Sequence, residues 1–328
     1  MDLREQMTKK AKTAEPNVAS NAALEQPHQP SLAHPDAIDN FVAQMKAVEA
    51  GWNAKSDDEK IAHFQTLISE KFAAAGMPAP TISKMDAGGG RNGEFDAASW
   101  GLKMAPATLA KPMAEVAGTV YHESRHAQQF FMIAQYIAKS KIAPPPHQQI
   151  PAAILEAAAR AEANPASRLL APEEDEAKLY HTSMYGTGLK KRNHTLTTLG
   201  TAMTQLTTAM SELQAAKVTE ATTLATFKNY KNAQGEEFQK SPDVRKADVT
   251  HVKNYDIKEE AKARRIEAGA ALIAKSDAFK AVEVAYRALP EEADAFRAGD
   301  AVSAKLRPSA SAPAAIDTAA AQAEPGQG

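Results

Sequence analysis

The stretch from Met113 to Ala138 constrains this chain most, because it carries His122, Glu123 and His126 in a run without proline. Apolar residues recur there at helical spacing, which predicts a helix with one side facing the core. At about 100° per residue, His126 lies only about 40° around the helix from His122, one turn further on. Both imidazoles therefore lie over the same spot, as two ligands of one metal ion do.

Glu123 falls within the apolar arc of this helix. A carboxylate there is costly unless the protein makes use of it. Its position allows it to reach a water molecule on the metal, but places it badly as a third ligand. The pattern His-Glu-x-x-His on a helix builds half of a zinc site and supplies a general base. We therefore expect Zn2+ bound by His122 and His126, with Glu123 as the catalytic base. A chance arrangement of polar residues on a helix is the alternative.

The segment Glu123–His126 also matches Glu-x-x-His, the motif of di-iron helical bundles. Such a site needs a second Glu-x-x-His on a facing helix. The other match in the chain is Glu25–His28, which Pro27 interrupts. The sequence therefore favours zinc over a di-iron centre.

The composition bounds the class of protein. The chain has 328 residues, a net charge of −2 and no cysteine. Near-neutral charge without a long basic block gives no reason to expect a nucleic-acid partner. Without cysteine, any metal has to be bound by histidine and carboxylate groups. No apolar run predicts a membrane span, and the N-terminus lacks the apolar core of a classical signal peptide, so we expect synthesis in the cytoplasm.

Composition also divides the chain into segments. Residues 1–35 and 307–328 are rich in small and polar residues and proline, which predicts disordered tails. Residues 36–306 are expected to form one metal-dependent domain. Within it, residues 190–285 predict a long antiparallel helical hairpin. Its first helix has an apolar seam at alternating spacings of three and four, formed by Leu196, Leu199, Met203, Leu206, Met210 and Leu213.

The rest of the domain predicts helices and a small sheet. Ser56 and Glu59 form a capping-box pattern at the start of a helix. Thr81–Met85 predicts a short strand, Gly88–Gly93 a turn, and Glu94–Met104 the returning strand. The expected fold class is therefore α+β and predominantly α-helical, with a small β-hairpin sheet.

The third metal ligand has to come from elsewhere in the chain. A catalytic zinc site has three protein ligands and one open position. No histidine follows His126 at close spacing, so a carboxylate on another helix is expected. Residues 172–177 offer Glu174 and residues 290–295 offer Glu292, each with an alanine three residues later that would let the ligand helix approach closely. The residues themselves leave both alternatives open.

Tyr121–Gln129 resembles the motif of the zincin metallopeptidases, in particular the gluzincins, whose third ligand is a glutamate on a later helix. Together with Leu289–Phe296, it is similar to a group of bacterial zincin-type proteins found among secreted and toxin-associated effectors. The resemblance implies a zincin-like core, Glu292 rather than Glu174 as third ligand, and a peptide or protein substrate. The hypothesis that goes with this resemblance is that the N-terminal tail carries an export signal, which a specialised secretion or injection machinery recognises.

Arg125 departs from the zincin pattern, which usually has uncharged residues between the glutamate and the second histidine. One hypothesis pairs it with an acid of residues 291–294 and so holds the ligand helix in place. A second lets it bind a substrate carboxylate. The remaining alternative is an exposed charge without a role.

Two further points stay open at the level of sequence. Tyr286, Tyr185 and His181 are the candidates for stabilising an oxyanion. The alternative to an enzyme is a non-enzymatic binding or delivery protein, in which the metal is structural or absent and the helical hairpin is the interaction arm.

Overall fold

The computed structural model describes residues 31–86, 92–144 and 149–307. These residues form a predominantly α-helical protein with a small sheet, which confirms the predicted α+β class. The helices are α1 (Pro35–Lys46), α2 (Asp57–Ala74), α3 (Pro106–Leu109), α4 (Met113–Ser140), α5 (Ala152–Ala163), α6 (Ala171–Met184), α7 (Leu189–Ala233), α8 (Glu236–Lys240), α9 (Pro242–Ala247), α10 (Val249–Arg287) and α11 (Pro290–Leu306), with a 3-10 helix at Glu49–Ala54. The strands are β1 (Thr81–Lys84), β2 (Gly93–Asp96) and β3 (Gly101–Met104). The predicted C-terminal tail beyond Arg307, most of the N-terminal tail, most of the glycine turn and Glu25–His28 lie outside the described residues.

Helix α4, which carries the His-Glu-x-x-His motif, is the centre of the core. Most of its residues are buried, including Val120, Phe131 and Ile133. It packs against α11, α5, α6 and strand β2. The Tyr121 ring contacts Phe41 of α1, with ring centroids 4.8 Å apart. The motif is therefore held from several directions, which restricts how its side chains move.

The sheet corrects the predicted hairpin. Its strand order is β1-β3-β2, with β1 parallel to β3 and β2 antiparallel to β3. The stretch Glu94–Met104 is therefore two strands rather than one. Asp96 interrupts it, because its carboxylate accepts hydrogen bonds from Ala98 N–H at 3.0 Å and Ser99 Oγ at 2.7 Å. Local bonds of this kind compete with the strand ladder. Trp100, with φ of 50°, completes the turn.

The capping box at the start of α2 is confirmed. Ser56 Oγ accepts a hydrogen bond from Glu59 N–H at 3.3 Å, and the Glu59 carboxylate accepts one from Ser56 N–H at 2.7 Å. Gly76 follows α2 with φ of 68°, as a residue that ends a helix in the left-handed region does.

Residues 31–34 belong to the folded domain, although the sequence placed them in a disordered tail. Leu32 is buried, its N–H donates to Gln128 Oε1 at 2.9 Å, and its carbonyl accepts from the Tyr121 hydroxyl at 2.8 Å. Ser31 Oγ accepts from Arg125 Nη1 at 2.8 Å. Composition did not indicate this, because the partners are polar side chains of α4 that lie about a hundred residues away in sequence.

Helices α7 and α10 form a long antiparallel pair, called here the helical arm. They contact through Lys275 with Gln205 at 3.1 Å and through Arg265 with Glu220 at 2.5 Å. The apolar seam predicted for α7 is half-buried, apart from the exposed Met210, since two helices alone cover little of each other. None of the helices that the structure describes has both the length and the apolar character needed to cross a bilayer.

Glycines bring α4 and α11 close together. The two helices run antiparallel, and Ser303 Oγ of α11 donates to the Ala114 carbonyl at 3.0 Å. A Cβ on Gly299 would lie 2.7 Å from the Gly118 carbonyl oxygen and 2.9 Å from His122 Cβ. A Cβ on Gly118 would overlap Ser303 Oγ. The absence of both side chains therefore sets the separation between the motif helix and α11.

Replacing Gly299 with alanine should destabilise the fold. The added methyl group meets the backbone of Gly118, and overpacking of this kind costs about 1–3 kcal/mol. Gly269→Ala is the matched control, because Gly269 is also helical and no described atom lies within 4 Å of its added Cβ. The control should be stabilised by up to about 1 kcal/mol. Urea unfolding measures both, and equal free energies of unfolding would contradict the close crossing.

Candidate metal centre

His122 and His126 lie one turn apart on α4 and present the same ring nitrogen to a common point. Their Nε2 atoms are 3.1 Å apart. The ring centroids are separated by 4.7 Å, with an angle of 86° between the rings. Both side chains are nearly buried. The helix therefore places two imidazole lone pairs on one small volume, as the spacing predicts.

Glu292 completes this group from the first turn of α11. Its Oε2 lies 3.4 Å from His126 Nε2 and 3.8 Å from His122 Nε2. Ligand atoms at zinc bond lengths around a tetrahedral ion lie about 3.3 Å apart, close to these edges. Glu292 Oε2 is buried and has no hydrogen-bond partner of good geometry among the described residues. A cation at this point would satisfy it, so the donor set fits zinc.

Gln129 fixes the tautomer of His126. Its amide nitrogen donates to the Glu291 carbonyl at 2.8 Å and to Asp294 Oδ2 at 2.9 Å. Its amide oxygen therefore faces His126 Nδ1, at 2.9 Å, and accepts a hydrogen bond from the N–H at that nitrogen. This leaves Nε2 directed at the point between His122 and Glu292, as in metal sites where a second hydrogen bond orients the histidine.

The charges of the group favour a bound cation. Burial lowers the pKa of His122 to about 3, so this imidazole is neutral near pH 7. Burial raises the pKa of Glu292, but its neighbours His126, Tyr286 and His122 together outweigh that effect and lower the pKa to about 2. Burial likewise opposes the charged form of His126, yet Glu292 raises the pKa of His126 to about 9. An ionised carboxylate thus attracts positive charge to the point between the three side chains.

Glu123 lies beside this point, on the side of the sheet. Its Oε2 accepts a hydrogen bond from the Phe95 N–H of β2 at 2.9 Å. Atoms of Glu123, His122 and His126 that can bind a metal lie within 4.8 Å of one another. Burial raises the pKa of Glu123 to about 7. A carboxyl group with this pKa is suited to take up and release a proton near neutral pH.

The other sequence candidates separate clearly in space. Glu174 binds Lys139 Nζ at 2.5 Å, and Lys139 lies thirteen residues, or about 20 Å of helix, beyond His126. The structure therefore brings Glu292, and not Glu174, to the histidines. Burial and the neighbouring Glu292 carboxylate both raise the pKa of Tyr286. His181 contacts Tyr136 and Tyr185, with ring centroids 5.5 and 5.9 Å apart. Of the oxyanion candidates, Tyr286 thus lies next to the cluster.

No protein-family model, no curated protein and no solved structure matches this chain. The resemblance to the zincins therefore depends on the two motif segments, and the function has to be argued from the geometry of the site.

Arg125 is a buried side chain with a structural role, rather than an exposed charge on the surface. It is completely buried, and its Nε donates to Asp294 Oδ2 at 2.5 Å. Its other N–H groups donate to oxygens of four further residues, Ser31, Gln128, Glu176 and Tyr180. These partners account for the five donors of a guanidinium. Of the two roles predicted for Arg125, the structure supports pairing with an acid of residues 291–294, and complete burial argues against contact with substrate.

The polar residues that surround the cluster are not part of the His-Glu-x-x-His motif. Asp294 links Arg125 with Gln129, and Gln129 links Asp294 with His126. Gln128 and Gln129 are buried on α4. Two consecutive glutamines in the buried part of an otherwise apolar helix could have indicated this network, because buried polar groups require hydrogen-bond partners.

Arg125→Ala should affect both stability and the metal site. It leaves the buried Asp294 carboxylate without its main cation, a loss that typically costs about 3–5 kcal/mol. Because Asp294 also holds Gln129, zinc affinity should fall by roughly 10–100-fold. Arg125→Lys should recover only part of either property, since an ammonium group cannot reach five acceptors. Urea unfolding and competition with a zinc chelator measure the two effects. A native free energy of unfolding together with a native zinc affinity in Arg125→Ala would refute this structural role.

Proposed function

We propose that this protein is a zinc-dependent hydrolase and that its substrate is a peptide or protein. The observation that carries the proposal is the triangle of His122 Nε2, His126 Nε2 and Glu292 Oε2, with edges of 3.1, 3.4 and 3.8 Å. Glu123 lies beside that triangle as a buried carboxyl group. Three ligands and an adjacent proton acceptor are the set that a catalytic zinc site uses.

In the proposed reaction, His122, His126 and Glu292 would hold a zinc ion. Zinc bound there would act as a Lewis acid that lowers the pKa of water and polarises a carbonyl oxygen. Glu123 takes the proton of the attacking water on Oε1, while the Phe95 N–H keeps Oε2 in place. Glu123 then donates the proton to the leaving amine. Tyr286, which contacts Glu292, is the side chain suited to stabilise the developing oxyanion.

The sheet favours an extended substrate. Strand β2 lies at the edge of the sheet, and its Phe95 N–H donates a hydrogen bond to Glu123 Oε2. The outer side of β2 therefore runs past the proton acceptor. An extended peptide can add to an edge strand through main-chain hydrogen bonds. A peptide bound in this way would pass beside Glu123, which is why peptide hydrolysis is preferred to other hydrolytic reactions.

The binding or delivery protein remains the second candidate, and one observation favours it. Large apolar side chains are exposed along the helical arm, among them Ile266, Ile273 and Val284. Contiguous exposed apolar surface commonly marks sites of interaction. In that case a metal at His122, His126 and Glu292 would be structural, and no turnover would depend on Glu123.

One zinc ion should bind per chain. His122→Ala and His126→Ala should each abolish stoichiometric binding, because the remaining ligands are too few for a stable site. Glu292→Gln should weaken binding strongly, whereas Glu174→Gln, the matched control, should not change it. Metal analysis after dialysis, with titration calorimetry, gives stoichiometry and affinity. Unaltered zinc content in both histidine variants would refute the site.

Glu123→Gln should keep the metal and lose turnover. Gln retains the size of Glu and an oxygen for the Phe95 N–H, but it cannot accept the proton from water. The rate of peptide cleavage should fall by roughly 10²–10⁴-fold, the range typical for loss of a general base. Glu115→Gln, on the exposed side of the same helix, should be silent. Equal activity of wild type and Glu123→Gln would refute the general-base role of Glu123.

A further inference from the structure

The first turn of α7 and the last turn of α10 together form the base of the helical arm, and both lie next to the turn of α11 that carries Glu292. Arg192 lies in the first turn of α7, and its Nε donates to Glu291 Oε1 at 2.6 Å. Tyr286 lies in the last turn of α10, close enough to Glu292 for that carboxylate, together with burial, to raise the pKa of Tyr286. Helix α11 starts three residues after α10 ends, so the two cannot move far independently. The base of the arm therefore adjoins the cluster directly.

Glu291 connects the arm to His126 as well as to Glu292. Its side chain is completely buried against Arg192. Its backbone carbonyl accepts from Gln129 Nε2 at 2.8 Å, and Gln129 Oε1 holds His126 Nδ1 at 2.9 Å. Glu291, which precedes Glu292, is thus fixed at two points. Arg192 of the arm holds its side chain, and Gln129, which orients His126, holds its backbone carbonyl.

The charges on the two sides of this contact are unusual for helix ends. Acidic residues commonly lie in the first turn of a helix, where they are normally exposed to water. Here Glu291 and Glu292 are only 0% and 5% exposed. The first turn of α7 has the opposite sign, since it carries Lys190, Lys191 and Arg192, where the helix dipole disfavours cations. The ion pair between Arg192 and Glu291 offsets both the burial of the Glu291 charge and the unfavourable position of Arg192 at the start of a helix.

We infer that Arg192 is a positioning residue for metal binding, which acts through Glu291 and makes the base of the helical arm part of the metal site. This inference depends on the proposed zinc site. Without Arg192, the buried Glu291 carboxylate loses its cationic partner and turns towards water. This change moves the first turn of α11, and with it Glu292 Oε2 and the carbonyl that holds Gln129. The base of the arm thus helps to fix the position of Glu292.

The test compares Arg192→Ala, Arg192→Lys and the control Lys191→Ala, in which the exposed neighbour is changed. Chelator competition measures Zn2+ affinity, and visible absorption of the Co2+-loaded protein reports ligand geometry. Arg192→Ala should bind Zn2+ roughly 10–100-fold more weakly and shift the Co2+ spectrum, as loss of a supporting contact does. Arg192→Lys should recover part of the affinity, and Lys191→Ala should match wild type. Native affinity and spectrum in Arg192→Ala would overturn the inference.

Glu291→Gln provides a second route if Arg192→Ala folds poorly. It removes the buried charge but keeps an acceptor for Arg192, so zinc affinity should fall less than in Arg192→Ala. In that background, Arg192→Ala should add little further loss. Full additivity of the two changes would show that Arg192 does not act through Glu291 and would overturn the inference.

Hydrogen–deuterium exchange of the metal-free protein separates this inference from the proposed function. Amides of residues 290–296 should exchange faster in Arg192→Ala than in Lys191→Ala, whether or not zinc binds. A wild type that binds no zinc would refute the proposed function, while faster exchange would still show that the arm holds this turn. A wild type that binds zinc, with unchanged exchange in Arg192→Ala, would refute the positioning role alone.

Discussion

The close antiparallel crossing of α4 and α11 is the constraint on which the rest of this structure depends. Gly118 and Gly299 have no side chains to separate the helices, and a Cβ at Gly299 would meet both the Gly118 carbonyl and His122. The crossing therefore determines how closely the first turn of α11 approaches the motif. A carboxylate reaches two imidazoles from an opposing helix only at such a short separation, so backbone packing decides the geometry of the donor atoms.

Charge balance within the crossing explains why so many ionisable groups are buried there. Glu123, Glu291, Glu292 and Asp294 are all nearly excluded from water. Arg125 and Arg192 pair with Asp294 and Glu291, respectively. Neither arginine pairs with Glu292, whose neighbours are the two histidines. The two arginines thus neutralise Asp294 and Glu291 but neither Glu292 nor Glu123, so in the proposed site Glu292 keeps the charge that would attract a metal.

The sequence predicted the parts of this arrangement that depend on local geometry. The helical period placed His122, Glu123 and His126 together, and the capping pattern located the start of α2. Contacts between distant segments were harder to predict, because periodicity carries no information about which faces meet. Glu292 was preferred through resemblance to a motif, and not through any property of residues 290–295 that Glu174 lacked. The parallel pairing of β1 with β3, the docking of residues 31–34 and the burial of Arg125 all depend on partners far away in sequence.

The position of α11 after the helical arm has a consequence for how the protein is made. A ribosome synthesises the motif helix first, then the 45 residues of α7 and the 39 residues of α10, and the turn with Glu292 only afterwards. Until α11 emerges, α4 lacks the helix that covers Gly118, and Arg125 lacks Asp294. Contacts of such large sequence separation form slowly, because a long chain segment has to be closed into a loop. The nascent chain consequently passes through a long interval in which the two histidines exist without Glu292, and the proposed metal site is complete only when the fold is complete.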